Sequence, residues 1–215
     1  ATFTTGRTLC IYEGLLKPFE LQMEQWSKVN GVVHDELYDS PSDDKLYAML
    51  CYEGSPFIKD LEQSFKITAD KYNKQWDDIM EDVDEYYEQL DALADFCGDV
   101  EESRQTLDRV DWSKVDPNKR EEVLAQVQES IDTAKAKQAA LEAQFHRLCD
   151  AMEEVIFSLS SYKKQNKYCE ERVRELVAEK FYDYKSFAET VKERFGFERS
   201  DEQKASRTER LKQWD

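Results

Sequence analysis

The stretch "QWDDIMEDVDEYYEQLDALADFCGDVEES", residues 75–103, carries twelve acidic residues and no Lys or Arg. Its apolar residues obey a different rule. Followed in both directions, Ile58, Phe65, Tyr72, Ile79, Tyr86, Leu93, Val100 and Leu107 recur every seven residues. Four residues after each comes a second series: Glu62, Ala69, Trp76, Val83, Leu90, Cys97 and Arg104. Alternating steps of four and three form a coiled-coil seam, because about 3.5 residues per turn keep both series toward one partner. The acids therefore occupy the outer face of a helix whose inner face is hydrophobic. "GSPF" marks its start, with Ser55 as cap and Pro56 at the first helical position, where a missing N–H costs nothing. Gly98 interrupts the pattern once, at about 1 kcal/mol against Ala, and allows a local bend.

A second helix is expected from "VDPNKREE", with Asp116 as cap and Pro117 as first residue. Leu124, Ile131, Gln138, Phe145, Met152, Leu159, Asn166 and Val173 repeat by seven. Val127, Ala134, Leu141, Leu148, Val155, Tyr162, Cys169 and Leu176 interleave with them. Neither Gly nor Pro occurs from Asn118 to Phe195. Near Val177 the stripe shifts to Val177, Phe181, Tyr184, Ala188, Val191 and Phe195, and Gly196 is a natural stop. The pattern predicts one helix over 117–195, roughly 120 Å long at the usual rise per residue.

Only "RVDWSKVDP" separates the two, so they must be antiparallel neighbours. With the turn at 111–116, residue i faces roughly residue 227 − i. The expected fold is all-α: a long antiparallel coiled-coil hairpin of helices 56–110 and 117–195. Residues 56–169 would form the stalk. Residues 1–55, with short helices around Trp26 and Tyr47, would form a small head packed on 170–195. Residues 196–215 read as a polar tail. In mid-stalk the stripe widens to the adjacent pairs Ile79–Met80, Tyr86–Tyr87 and Leu93–Ala94. A two-stranded seam needs two positions in seven; this face suits three or four helices, so a second copy or another helical protein is expected to cover it.

Composition narrows the function. Net charge is −17, and residues 56–110 hold sixteen acids against six bases. Such a field disfavours nucleic acid and anionic lipid and favours basic partners. Five cysteines at 10, 51, 97, 149 and 169 have wide spacing and no CxxC, so we read them as reduced thiols of a cytoplasmic chain. No apolar run approaches the roughly 20 residues of a membrane span, and no leader is expected. The chain begins at Ala1, through removal of an initiator or as part of a longer polypeptide.

Candidate partner-binding residues are Asp78, Asp82 and Glu85, at i, i+4 and i+7 on the acidic face; Met80 and Tyr87, on the widened stripe; and Trp112, at the turn. Trp112 can anchor a partner or fold back over Val110 and Val115. Asp78, Asp82 and Glu85 can equally be a solvated face, since a straight helix cannot wrap oxygens around Ca²⁺. His146 and Cys149 stand at i, i+3 but lack two further zinc ligands, so no metal or cofactor is expected. No GxSxG, P-loop or dinucleotide fingerprint occurs, and only two histidines are present, so no enzyme is expected. The leading reading is a helical adaptor or scaffold subunit that binds helical or basic protein segments and possibly a second copy of itself. The alternative is a membrane-acting elongated bundle that shapes bilayers or forms pores; the absence of a basic face argues against it.

Overall fold

The computed structural model describes residues 22–23, 25–30, 50–52 and 54–203. Most of the head expected from residues 1–55 lies outside them, including the short helix expected around Tyr47. So does the tail beyond 203. Among the described residues the fold is all-α, without strands. Three long helices carry it: α1 (Pro56–Asp108), α2 (Pro117–Gln165) and α3 (Glu170–Phe195), with single 3₁₀ turns at Trp112–Lys114 and Lys167–Cys169.

The boundaries follow from local chemistry. Ser55 is fully buried, and its Oγ accepts from the Ile58 amide at 3.1 Å while donating to the Leu50 carbonyl. Gly54, at φ +78°, turns the chain into that cap. At the hairpin, Asp111 Oδ1 accepts from the Ser113 amide at 3.2 Å and Asp116 Oδ1 from the Asn118 amide at 3.0 Å. Each satisfies a donor that the helix leaves unpaired. Gly196, at φ +73°, closes α3 with its amide on the Lys192 carbonyl at 2.8 Å. Gly98 breaks nothing, since α1 is helical throughout its 53 residues.

α1 and α2 form the antiparallel hairpin in the expected register. The Asn166 amide Nδ2 donates to the Leu61 carbonyl at 2.8 Å, and the Tyr86 hydroxyl donates to the Leu141 carbonyl at 2.8 Å.

The continuous helix expected over 117–195 is corrected: it ends at Gln165 and restarts at Glu170. The cause is Asn166, which sits on the seam and is buried. Its backbone leaves the helical region at φ −133°, ψ 78°, and its side-chain oxygen accepts from the Cys169 amide at 3.3 Å. Asn competes for backbone hydrogen bonds and is a poor helix former, and here it caps the new turn.

The chain clusters into two compact units, one holding the described residues up to Trp76 with Glu154–Asp183, the other Asp77–Glu153 with Tyr184–Lys204. In the first, α3 runs parallel to α1. The Arg172 guanidinium lies 4.7 Å from the Phe65 ring, Lys180 Nζ donates to Asn73 Oδ1 at 2.6 Å, and Trp76 Nε1 donates to Asp183 Oδ2 at 3.1 Å. Met23, Leu50, Phe57 and Ile58 form a core beside the joint, with Trp26, Cys51, Leu61 and Tyr168 against it. The head was expected on 170–195; the described N-terminal residues pack at Tyr168, and α3 itself lies along α1.

In the second unit the same sense continues. The Phe187 ring meets Tyr86, Tyr87 and Phe145 with centroids 5.8, 5.9 and 5.6 Å apart, and Arg194 pairs with Asp91. α3 is antiparallel to α2, as the bond from the Tyr184 hydroxyl to Glu153 Oε1 at 2.6 Å requires. Each unit is therefore a three-helix arrangement, and the third helix is internal. Residues 197–199, at the start of the stretch expected as a polar tail, stay on the core. Phe197 is buried at 6.4 Å from the Phe145 ring, and Arg199 reaches α2.

Candidate functional site

The six residues singled out from sequence fall on three different surfaces. Asp78, Asp82 and Glu85 are exposed on the outer face of α1. Among the described residues, no ion pair reaches them or their neighbours Asp77, Glu81, Asp84 and Glu88. The charge read from sequence therefore remains as an open acidic stripe, where like charges at i, i+4 repel by a few tenths of a kcal/mol each.

Met80 and Tyr87 are half-buried. Tyr87 turns its ring against Phe187 of α3, and burial raises its phenol pKa, opposed by a hydrogen bond with Thr190. On the stripe that was expected to receive a second chain, Tyr87 thus meets α3 of its own chain. Tyr86, fully buried beside it, has its pKa pushed up by burial first and by neighbouring groups second.

Trp112 is half-buried at the hairpin turn, with the Arg120 guanidinium 5.6 Å from its ring. This contact is with a residue of α2 and is neither of the two roles expected from sequence, a fold over Val110 and Val115 or an anchor for a partner. Asp111 beside it has its pKa lowered by hydrogen bonds from Ser113 and Lys114.

His146 and Cys149 are not gathered into a metal site. Cys149 is fully buried, and the His146 ring nitrogen Nδ1 lies 3.4 Å from an Arg199 guanidinium nitrogen, a neighbour that repels a cation. No cluster of three metal-ligating side chains occurs among the described residues. The other described thiols are free as well; burial pushes Cys51 up to about 12 and raises Cys169.

Sequence reasoning missed the most concentrated polar cluster. Arg199, on the segment after α3, donates to Glu153 Oε2 at 3.1 Å and to the His146 carbonyl at 3.2 Å, and also pairs with Asp150. Glu153 is buried and accepts from Tyr184 as well. The available signal was Phe195–Gly196–Phe197: an apolar residue just beyond a helix-stopping glycine implies that the chain stays on the core.

Two grooves remain between α1 and α2. One, of about 820 Å³, is lined by Ser64, Ile67, Thr68, Tyr72, Phe157 and Tyr162, with the Ser64 and Tyr162 hydroxyls hydrogen-bonded at 2.7 Å. The other, of about 320 Å³, is lined by Leu93, Lys137 and Leu141 among others. Among the described residues no helix is long and apolar enough to cross a membrane. Compared with known protein families, curated proteins and solved structures, the chain matches none of them.

Proposed function

We propose that this chain is a non-enzymatic helical adaptor or scaffold subunit that binds other proteins through its α1–α2 hairpin within a larger assembly. One observation carries the reading. In the second unit α3 stops at Phe195, with Arg194 on Asp91, while α1 and α2 continue without it to the turn at Trp112. Beyond Leu93 and before Leu141 no apolar seam residue is fully buried: Cys97, Val100, Leu107, Val127, Ile131 and Ala134 are half-buried. Leu124 is 42 % exposed. A bare two-helix projection spends chain length without adding a core, which suits a part that reaches toward something else.

The partner is a basic protein segment, helical or extended. The acids from Asp77 to Glu88 lack internal cations among the described residues, and a basic partner relieves their mutual repulsion while steering association. The thiols at 51, 97 and 169, which form no disulfide, support a reducing, cytoplasmic compartment.

The test is affinity purification from the native source followed by residue-level crosslinking. We expect crosslinks at 78–85 and 112–124, partner recovery that falls with salt, and at least a severalfold loss for the D78N/D82N/E85Q triple variant. Recovery that ignores both salt and the triple variant, with crosslinks confined to α3 and residues 22–30, would contradict the proposal.

A further inference from the structure

The joint between α2 and α3 is unusual for a chain reversal. It contains neither Gly nor Pro, and the only positive φ angles among the described residues are at Gly54 and Gly196. Glu170 is already helical, at φ −52°, ψ −46°, and residues 167–169 form a 3₁₀ turn. Asn166 lies well outside the helical region, and changes of about 70° in φ and about 120° in ψ at this residue restore it. The heptad also runs through the joint without a slip: Leu159, Asn166 and Val173 on one series, Tyr162, Cys169 and Leu176 on the other. The sequence therefore encodes a continuous helix across a point where the folded chain bends back.

Two things hold the bend: Tyr168 packs against the Met23 core while the Lys167 amide donates to Gln22 Oε1 at 3.4 Å, and Asn166 pins the joint from within. Asn166 donates through Nδ2 to the Leu61 carbonyl at 2.8 Å and the Tyr162 hydroxyl at 2.9 Å, and accepts from the Cys169 amide at 3.3 Å. The Leu61 carbonyl lies inside α1 and keeps its helical partner without Asn166.

We propose that the groove along α1 and α2 filled by α3 is also the binding site for α3 of a second copy, in a dimer where α2 and α3 straighten into one helix and are exchanged. The exchange conserves the contacts. Lys180 with Asn73, Asp183 with Trp76, Phe187 with Tyr86 and Arg194 with Asp91 form between chains as they form within one. Only the joint differs between the two states, so the equilibrium depends on Asn166 and on protein concentration. A short joint with no residue obliged to bend and one removable pin is a favourable setting for such exchange.

The experiment uses the full chain. Two single-cysteine additions, Asp91→Cys in one copy and Arg194→Cys in another, are mixed, refolded together and oxidised, with the unaltered chain as the control for native thiols. An additional interchain disulfide appears only if α3 of one copy lies against α1 of the other. Asn166→Ala, which removes the pin and favours helix, is expected to raise the dimer fraction about tenfold in light scattering at equal concentration. Two glycines inserted after Asn166 should lower it. Monomers at every concentration with no additional crosslink, in both the native background and Asn166→Ala, would overturn the proposal. If Asn166→Ala does not fold, the native background refolded at high concentration decides alone: a D91C–R194C crosslink supports exchange and its absence overturns it.

Discussion

Phe187 is the side chain on which the second unit's third helix depends most, and its removal can be given a size. It is 2 % exposed and meets three aromatic rings at 5.6 to 5.9 Å. A buried Phe→Ala change costs about 3–5 kcal/mol through lost transfer energy and the cavity left behind. Edge-on aromatic pairs add about 0.5–1.5 kcal/mol each, partly counted already in that range. Because Phe145 and Tyr86 are anchored on separate helices, the cavity cannot close by a small shift, so we expect a loss of about 4 kcal/mol. Phe181 is the internal control: the same residue type, on the same helix, but 41 % exposed. Phe181→Ala should cost below about 1.5 kcal/mol. Urea titrations followed by circular dichroism give both values in matched conditions. If the two substitutions cost the same, α3 does not use the face described here, and the three-helix arrangement of this unit is wrong.

Other outcomes follow from the same contacts. Arg199→Ala leaves Glu153 buried with half its partners and should cost about 3 kcal/mol, whereas R199A/E153Q together should recover part of it; a double-mutant cycle measures the coupling. Gly98→Ala should stabilise by about 1 kcal/mol in thermal melts, since α1 is helical there and an added Cβ meets nothing within 4 Å. Tyr86 ionises at higher pH folded than unfolded, so its contribution is complete below the ordinary phenol value of 10.0 and is lost as pH rises above it. Stability measured from pH 9 to 11 should fall more steeply in the native chain than in Tyr86→Phe.

Much of the fold was legible because it rests on periodicity. The Ser55 and Asp116 caps, the Trp112 turn, the Gly196 stop and the pairing register of α1 with α2 all come from local rules or from the seven-residue repeat. The bend at Asn166 was not legible for a physical reason. A polar residue on a seam reads as a device for register, and no Gly or Pro marks a reversal; what bends the chain is tertiary, a buried amide satisfied by Leu61 a hundred residues away. The wide stripe at Met80 and Tyr87 was read as a face for a second copy or another helical protein; sequence could not say that Tyr87 meets Phe187 of the chain's own α3. Of the candidate site, the acidic face at Asp78, Asp82 and Glu85 follows from composition alone. The Arg199 cluster depends on where residues 196–200 lie, which no helical period describes.

The central claim is that α3 doubles back to lie beside α1, and one distance tests it directly. Spin labels placed through unnatural amino acids at positions 91 and 194 report it, in doubly labelled chain diluted into excess unlabelled protein and measured on the monomer fraction. Arg194 pairs with Asp91, and packed helix axes lie about 8–10 Å apart, so a distance of roughly 10–25 Å is expected once label linkers are included. A single rod through 117–195 would instead carry position 194 roughly 85 Å beyond the point where α2 faces residue 91. A monomer distribution centred beyond about 50 Å would contradict the account.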